Sequence, residues 1–170
     1  GNVSPDDAFV RAIFSKTKVK EQEAVVVTFR FYTVLNIRDV GKIQFPEFEG
    51  FMTEDFDMAT NRQMTAEHYK GRNYMAIDVK TTLLFPQRSG NITIPSGTME
   101  IVFEVSSGRK VQTFFGSQDV MTEAKKILKT TPVTVDISAL PFQDKPANFS
   151  GAVGAFTFTP SISAQKVKAN

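Results

Sequence analysis

The stretch from Tyr74 to Val105 contains runs whose side chains alternate with a period of two, and this alternation restricts the fold more than any other feature of the chain. Ile77, Val79, Leu83 and Phe85 fall on one side of an extended segment, with Asp78, Lys80 and Thr82 on the other. Met99, Ile101, Phe103 and Val105 repeat the pattern against Thr98, Glu100 and Glu104. Successive side chains of a β-strand point to opposite faces, so each run has a dry side and a wet side. Between them, Pro86-Gln87-Arg88-Ser89-Gly90 is bracketed by a proline and a glycine, which predicts that the chain reverses there and lays its next strand nearby. The stretch is expected at the centre of a β-sheet.

The same period recurs elsewhere. Val25, Val27, Phe29 and Phe31 are expected inward, with Thr28 and Arg30 outward. Phe9 to Phe14 reads as an edge strand carrying Val10, Ala12 and Phe14 on one face, followed by a polar loop from Ser15 to Glu23. The pattern weakens from Asn36 to Phe45; Phe45 to Phe56 then interleaves Phe with acids around Pro46 and Gly50, which fits an edge strand and loop because proline cannot donate to a ladder. A hairpin is expected at Lys70-Gly71-Arg72-Asn73, since Gly and Asn tolerate positive φ. Ser106 to Thr131 is the least regular part; Met121, Ala124, Lys125 and Leu128 fit helical spacing, and the segment from Val120 to Leu128 reads equally as a short helix or a strand. Val133, Val135, Ile137 and Ala139 then alternate up to Leu140-Pro141. About eight strands separated by turn signals predict an all-β fold, an immunoglobulin-like antiparallel β-sandwich. It would lack that fold's disulfide, because the chain has no cysteine.

Residues 1–7 read as a leader, 8–140 as the sandwich and 141–155, rich in Pro and Gly, as a linker. Residues 156–170 look like the first strand of a second, similar domain: Ser163, Lys166, Val167 and Lys168 repeat Ser15, Lys18, Val19 and Lys20 at the same spacing. Since an isolated strand is unstable in water, 156–170 is expected to complete the first sheet or to pair with an edge of a neighbouring molecule. The 20 basic and 18 acidic residues are nearly balanced and form no basic stripe, which argues against a nucleic-acid partner. Without cysteine there is no thiol catalysis and no Cys-ligated metal.

No constellation in the sequence performs chemistry. His68, the only histidine, offers a metal cluster or a triad nothing to build on. Glu54, Asp55 and Asp57 are spaced closely enough for calcium, but Phe56 interrupts them and no EF-hand pattern follows, so a solvated acidic loop is expected. Glu47, Glu49, Glu54 and Asp55 could pair for glycoside hydrolysis only at a spacing that sequence does not set. Arg88 could brace its turn or meet a partner carboxylate, and Gly151 to Gly154 read as close packing rather than a phosphate loop. Phe48, Phe51, Phe56, Phe114 and Phe115 are the candidate partner-binding residues: Phe-bearing loops either fold back as lids, the commoner outcome, or present an apolar patch. No cofactor is expected.

With these elements placed, the sequence resembles the BatD family, the exported oxygen-tolerance (aerotolerance-related) proteins of bacteria. The resemblance rests on Phe9-Val10-Arg11-Ala12 with Ser15-Lys16-Thr17 and Glu21-Gln22-Glu23, on Phe45-Pro46-Glu47-Phe48-Glu49-Gly50-Phe51, and on Leu84 to Gly90 running into Ile92-Thr93-Ile94-Pro95. Leu140-Pro141 and Lys145 to Gly154 continue it in the same order. It implies tandem β-sandwich domains in the periplasm, a membrane anchor outside these residues, and von Willebrand A-type Bat proteins and MoxR-type ATPases as neighbours. The expected function is a non-enzymatic interaction or scaffold module binding other envelope proteins through loops or sheet edges, self-association included. A carbohydrate- or surface-binding β-sandwich of adhesin type is the alternative; exposed Tyr with amide and acid groups would favour it, and Tyr32, Tyr69 and Tyr74 are too scattered in sequence to decide between the two.

Overall fold

A computed structural model of the chain describes residues 2–59 and 61–141. These form eleven strands and no α-helix: β1 (Ala8–Phe14), β2 (Lys18–Lys20), β3 (Val25–Thr33), β4 (Asn36–Gln44), β5 (Phe51–Asp55), β6 (Thr65–Tyr69), β7 (Arg72–Pro86), β8 (Gly90–Ile94), β9 (Thr98–Thr113), β10 (Gly116–Lys129) and β11 (Val133–Ser138). One layer is the antiparallel sheet β1-β3-β7-β5, with β6 paired to the first half of β7. Facing it are two smaller sheets, β10-β9-β4 and β2-β11-β8.

The two smaller sheets are one kinked layer, because β8 runs on into β9 and β10 into β11. At the kink Thr130 N donates to Gly97 O at 3.0 Å and Gly97 N donates to Thr130 Oγ1 at 2.8 Å. A Cβ on Gly97 would lie 3.0 Å from Pro46 Cδ and 3.1 Å from Gln44 O, so the close crossing requires glycine or a shift of its neighbours. The strand orders are then A-B-E-D and C-F-G of an immunoglobulin-like sandwich, with the edge strand β2 added beside the last strand. β2 pairs with β11 in parallel, so the opening segment is divided between the layers.

Alternation fills the space between them. Val25, Val27, Phe29 and Leu84 pack against Val19, Ile92, Ile94, Val135 and Ile137; further along, Ala8 and Phe31 pack against Met99, Ile101, Phe103 and Val105. The inward sets expected on β3, β9 and β11 are the buried ones, with two exceptions: Val133, at the start of β11, is half-buried, and Ala139 lies past the end of β11. Val3, outside the strands, also packs against this second half.

Several expectations are corrected. The Ser15–Glu23 loop contains β2, whose three residues are too few to show a period although Val19 is buried between the layers. The chain does not lay β8 beside β7 after Gly90: it crosses to the other layer, where β8 pairs with β11. The positive-φ residues of the β6–β7 turn are Lys70 (φ 49°) and Gly71 (φ 80°), a two-residue turn whose twist matches the strands it joins. Asn73 lies in β7 and bonds His68 Nδ1 at 2.7 Å.

On β7 the inward set changes midway. Ile77 and Val79 pack in the core as expected, but beyond them Thr82, Leu84 and Pro86 are buried while Leu83 and Phe85 are not. Phe29 pairs with Lys80 and Arg30 with Asp78, leaving Val79 as an extra residue, and one extra residue exchanges the two faces of everything after it. The segment from Ser106 to Thr131 is no irregular region: it is most of a single long hairpin, β9–β10, with strand rather than helix from Val120 to Leu128. Of residues 141–155 only Pro141 is described, and 156–170, the expected first strand of a second domain, lie outside the described residues.

Candidate interaction surface

The β9–β10 hairpin outgrows the sheet that contains it. β4 pairs with β9 no further than Asn36 opposite Glu104, so beyond that point β9 and β10 have only each other. At strand rise the eight residues from Ser106 to Thr113 carry this two-stranded ribbon about 25 Å outward. Phe114 and Phe115 form its two-residue tip. Thr113 Oγ1 donates to Gly116 O at 2.8 Å and accepts from Phe115 N at 3.1 Å, and Gly116 supplies a φ of 107°. The rings meet edge to face with centroids 5.4 Å apart, yet Phe114 is 96% and Phe115 86% exposed. Their stem carries Arg109 and a Lys110–Asp119 ion pair of 2.7 Å.

The other three candidate Phe residues divide. Phe48 and Phe51 fold back against the core, Phe48 lying 6.5 Å from the Phe29 ring and Phe45 joining them at 5.1 Å. They are lids over one end of the sandwich. Phe56 is half exposed just past β5, on the edge of the opposite layer from the ribbon. The structure does not bring the five together.

The three tyrosines are brought together. On the outer face of the β1-β3-β7-β5 layer, Phe9 stacks on Tyr32 at 4.8 Å and meets Tyr74 at 5.1 Å and Tyr69 at 5.5 Å. Arg11 lies 4.4 Å above the Tyr69 ring and donates to Tyr32 Oη at 3.0 Å, and Tyr74 Oη donates to Asp6 O at 3.0 Å. The sequence separation of Tyr32 from Tyr69 and Tyr74 hides this, since three strands supply the rings; the signal that could have found it is an aromatic on the wet face of each strand. Tyr32 and Tyr74 are buried, so the cluster packs the outer face and offers no open ring platform for a sugar.

Beside it, Arg30 pairs with Asp78 at 2.6 Å and with Glu67 at 3.7 Å, on the wall of an open cleft of about 430 Å³ that Arg62 and Gln63 also line. The Asp78 hydrogen bond raises the Arg30 pKa further, and Arg62 donates to Asp78 O. Arg30 and the two carboxylates are engaged with one another, and Arg62 with backbone carbonyls.

Of the acids considered for metal binding, Asp55 is engaged too. Asp55 Oδ1 accepts from Thr82 Oγ1 at 2.8 Å, and Oδ2 lies 3.1 Å from Lys80 Nζ. Among the described residues no three His, Asp or Glu side chains converge as a metal site. The Thr82 hydrogen bond, opposed in part by burial and helped by Lys80, holds the Asp55 carboxyl below its ordinary range. A depressed pKa means that the stabilisation is fully present above about pH 4 and is lost as pH falls through the lower folded value. Asp55→Ala is therefore expected to cost about 1–2 kcal/mol at neutral pH, because it strips the buried Thr82 hydroxyl of its acceptor. The cost should shrink in a Thr82→Val background and fade in acid; urea melts of the four variants at neutral pH and near pH 3 check this.

The fold and the ribbon define the class: an immunoglobulin-like β-sandwich whose F–G connection is drawn out into an aromatic-tipped arm. A family model described as the BatD DUF11-like domain matches residues 12–137, from within β1 to within β11. The chain belongs to the BatD family, a family of envelope-associated proteins. No curated protein and no solved structure matches it. No helix among the described residues is long and apolar enough to cross a membrane.

Proposed function

We propose that this chain is a non-enzymatic interaction module of a periplasmic, membrane-anchored BatD protein, and that it grips another envelope protein with the Phe114–Phe115 tip. The observation that carries this reading is the nearly complete exposure of two adjacent phenylalanines on a turn held by its own hydrogen bonds. Large apolar side chains left in water at a fixed position lower the cost of ordering an interface, and aromatic anchors of this kind dominate binding energy when a pocket receives them. The position agrees: F–G loops at one end of such sandwiches carry recognition in immunoglobulin variable domains. A von Willebrand A-type Bat protein is the partner class that the family supplies, and a link to oxygen tolerance would run through that partner.

The test is capture from envelope extracts, and then by a purified von Willebrand A-type Bat protein, using the whole chain with Phe114 and Phe115 intact or both changed to Ser. Neither ring touches the core, so the double variant is expected to melt with the parent and to lose at least tenfold in affinity, since two desolvated aromatic anchors contribute well over 1.4 kcal/mol. Equal capture by parent and variant would remove the tip from the interaction. A matched variant with Ser at Phe48, Phe51 and Phe56 separates the two surfaces: it should melt lower, because two of its rings pack on the core.

A further inference from the structure

β10 is an edge of its sheet: it pairs with β9 on one side, and β2 reaches only as far as β11. Its open side borders a cleft of about 410 Å³ between Lys126–Lys129 and the opening segment at Val3, Pro5 and Phe9. The other edge of the sheet, β4, is broken by two register irregularities, a common guard against unwanted pairing. From Met121 to Lys129, β10 is unbroken.

Thr130 N donates across to Gly97 O, and backbone groups alternate in direction along a strand, so Met121, Glu123, Lys125, Ile127 and Lys129 turn their N–H and C=O toward the open side. The side chains of Met121, Glu123, Lys125 and Ile127 share the exposed outer face, while Ala124 and Leu128 face the core.

The geometry points to β10 as a pairing edge for a second copy of this chain, joined antiparallel about a two-fold axis at Ala124. In that register Glu123 lies opposite Lys125 of the other copy and Met121 opposite Ile127, and each pair occurs twice. All are residues whose backbone groups face the open side, so the register satisfies the ladder and the side chains together. Moving the axis by one residue either way sets Glu123 against Glu123 or Lys125 against Lys125, like charges directly opposite. Met121 and Ile127, among the exposed large apolar side chains, then cover each other. Glu123 keeps its 3.0 Å contact with Arg38, which lies on the far side of β9 from the junction.

The test uses charge exchange. The parent chain is expected to sediment as a concentration-dependent dimer. Glu123→Lys alone and Lys125→Glu alone should each sediment as monomers, because each puts like charges opposite in both pairs. An equimolar mixture of the two variants should recover the dimer, since each then supplies what the other lacks. Independently, Ala124→Cys, in a chain without cysteine, should oxidise to a covalent dimer, the central pair having a Cα separation of about 4.5–5.5 Å, while Thr122→Cys on the same face should not. A parent chain that stays monomeric at every concentration, single variants that dimerise like the parent, a mixture that stays monomeric, or equal crosslinking at 122 and 124 would each overturn the pairing.

Discussion

Tyr32→Ala is expected to destabilise the domain by about 3–5 kcal/mol, as much as Phe31→Ala, although the two side chains point to opposite faces of the same sheet. Phe31 is buried between the layers, against Phe103. Tyr32 is also only 1% exposed, but on the outer face, where Phe9, Tyr69, Tyr74 and Ala76 cover it. That face of a sandwich is ordinarily solvated, and truncating a residue there ordinarily costs little. Here β6 folds over the first half of β7 and brings Tyr69 with it, making a second small core. Removing the Tyr32 ring deletes its stack on Phe9 and its edge contact with Tyr74, and leaves Arg11 without its acceptor. Tyr32→Phe keeps the rings and loses only that hydrogen bond, so a cost of about 1 kcal/mol is expected. Urea denaturation of the three variants, with unchanged m-values, measures both numbers; a Tyr32→Ala cost below that of Tyr32→Phe plus a methylene would mean that the outer cluster contributes no packing.

What was legible in the sequence follows the same physics. A strand with one dry face announces itself, which is why Val25 to Phe31 and Met99 to Val105 are placed correctly from their spacing alone. The ribbon has no dry face: beyond Val105 neither side of β9 is buried and the facing part of β10 meets water, so Ser106 to Thr113 and Gly116 to Val120 carry no alternation to read. Its turn is written instead in Thr113-Phe114-Phe115-Gly116, a signal of local backbone geometry rather than burial. Phe114 and Phe115 could be named as candidates from composition, but whether they covered a core or stood in water depended on the length of the hairpin beneath them. Phe48 and Phe51, alike in composition, turned inward because Pro46 and Gly50 fold their loop back over Phe29. The self-complementary edge of β10 was hidden for a further reason. Opposed Glu123 and Lys125 have meaning only once the free side of the strand and the direction of its backbone groups are known.

The reversal of faces on β7 makes the sharpest comparison between neighbouring residues. Leu83 belongs to the inward set by simple alternation from Ile77 and Val79, yet Leu84 is the residue fully removed from water. Leu84 stands opposite Val25 in the ladder, in the cluster that includes Ile92, Ile94 and Val135 of the facing layer; Leu83 stands opposite Val26 and Glu54, facing outward. Leu84→Ala is expected to cost about 2–5 kcal/mol, the range for opening a cavity among close-packed aliphatic side chains, and Leu83→Ala under about 1.5 kcal/mol. The cause lies several residues earlier, at Val79, where one extra residue lets Val79 and Lys80 both turn toward the interior, Lys80 reaching over the Phe45 ring at 4.7 Å and on to Asp55. If instead Leu83→Ala were the costlier change, the strand would be running without its bulge, and the Thr82–Asp55 hydrogen bond, which needs Thr82 on the inner side, would be lost with it.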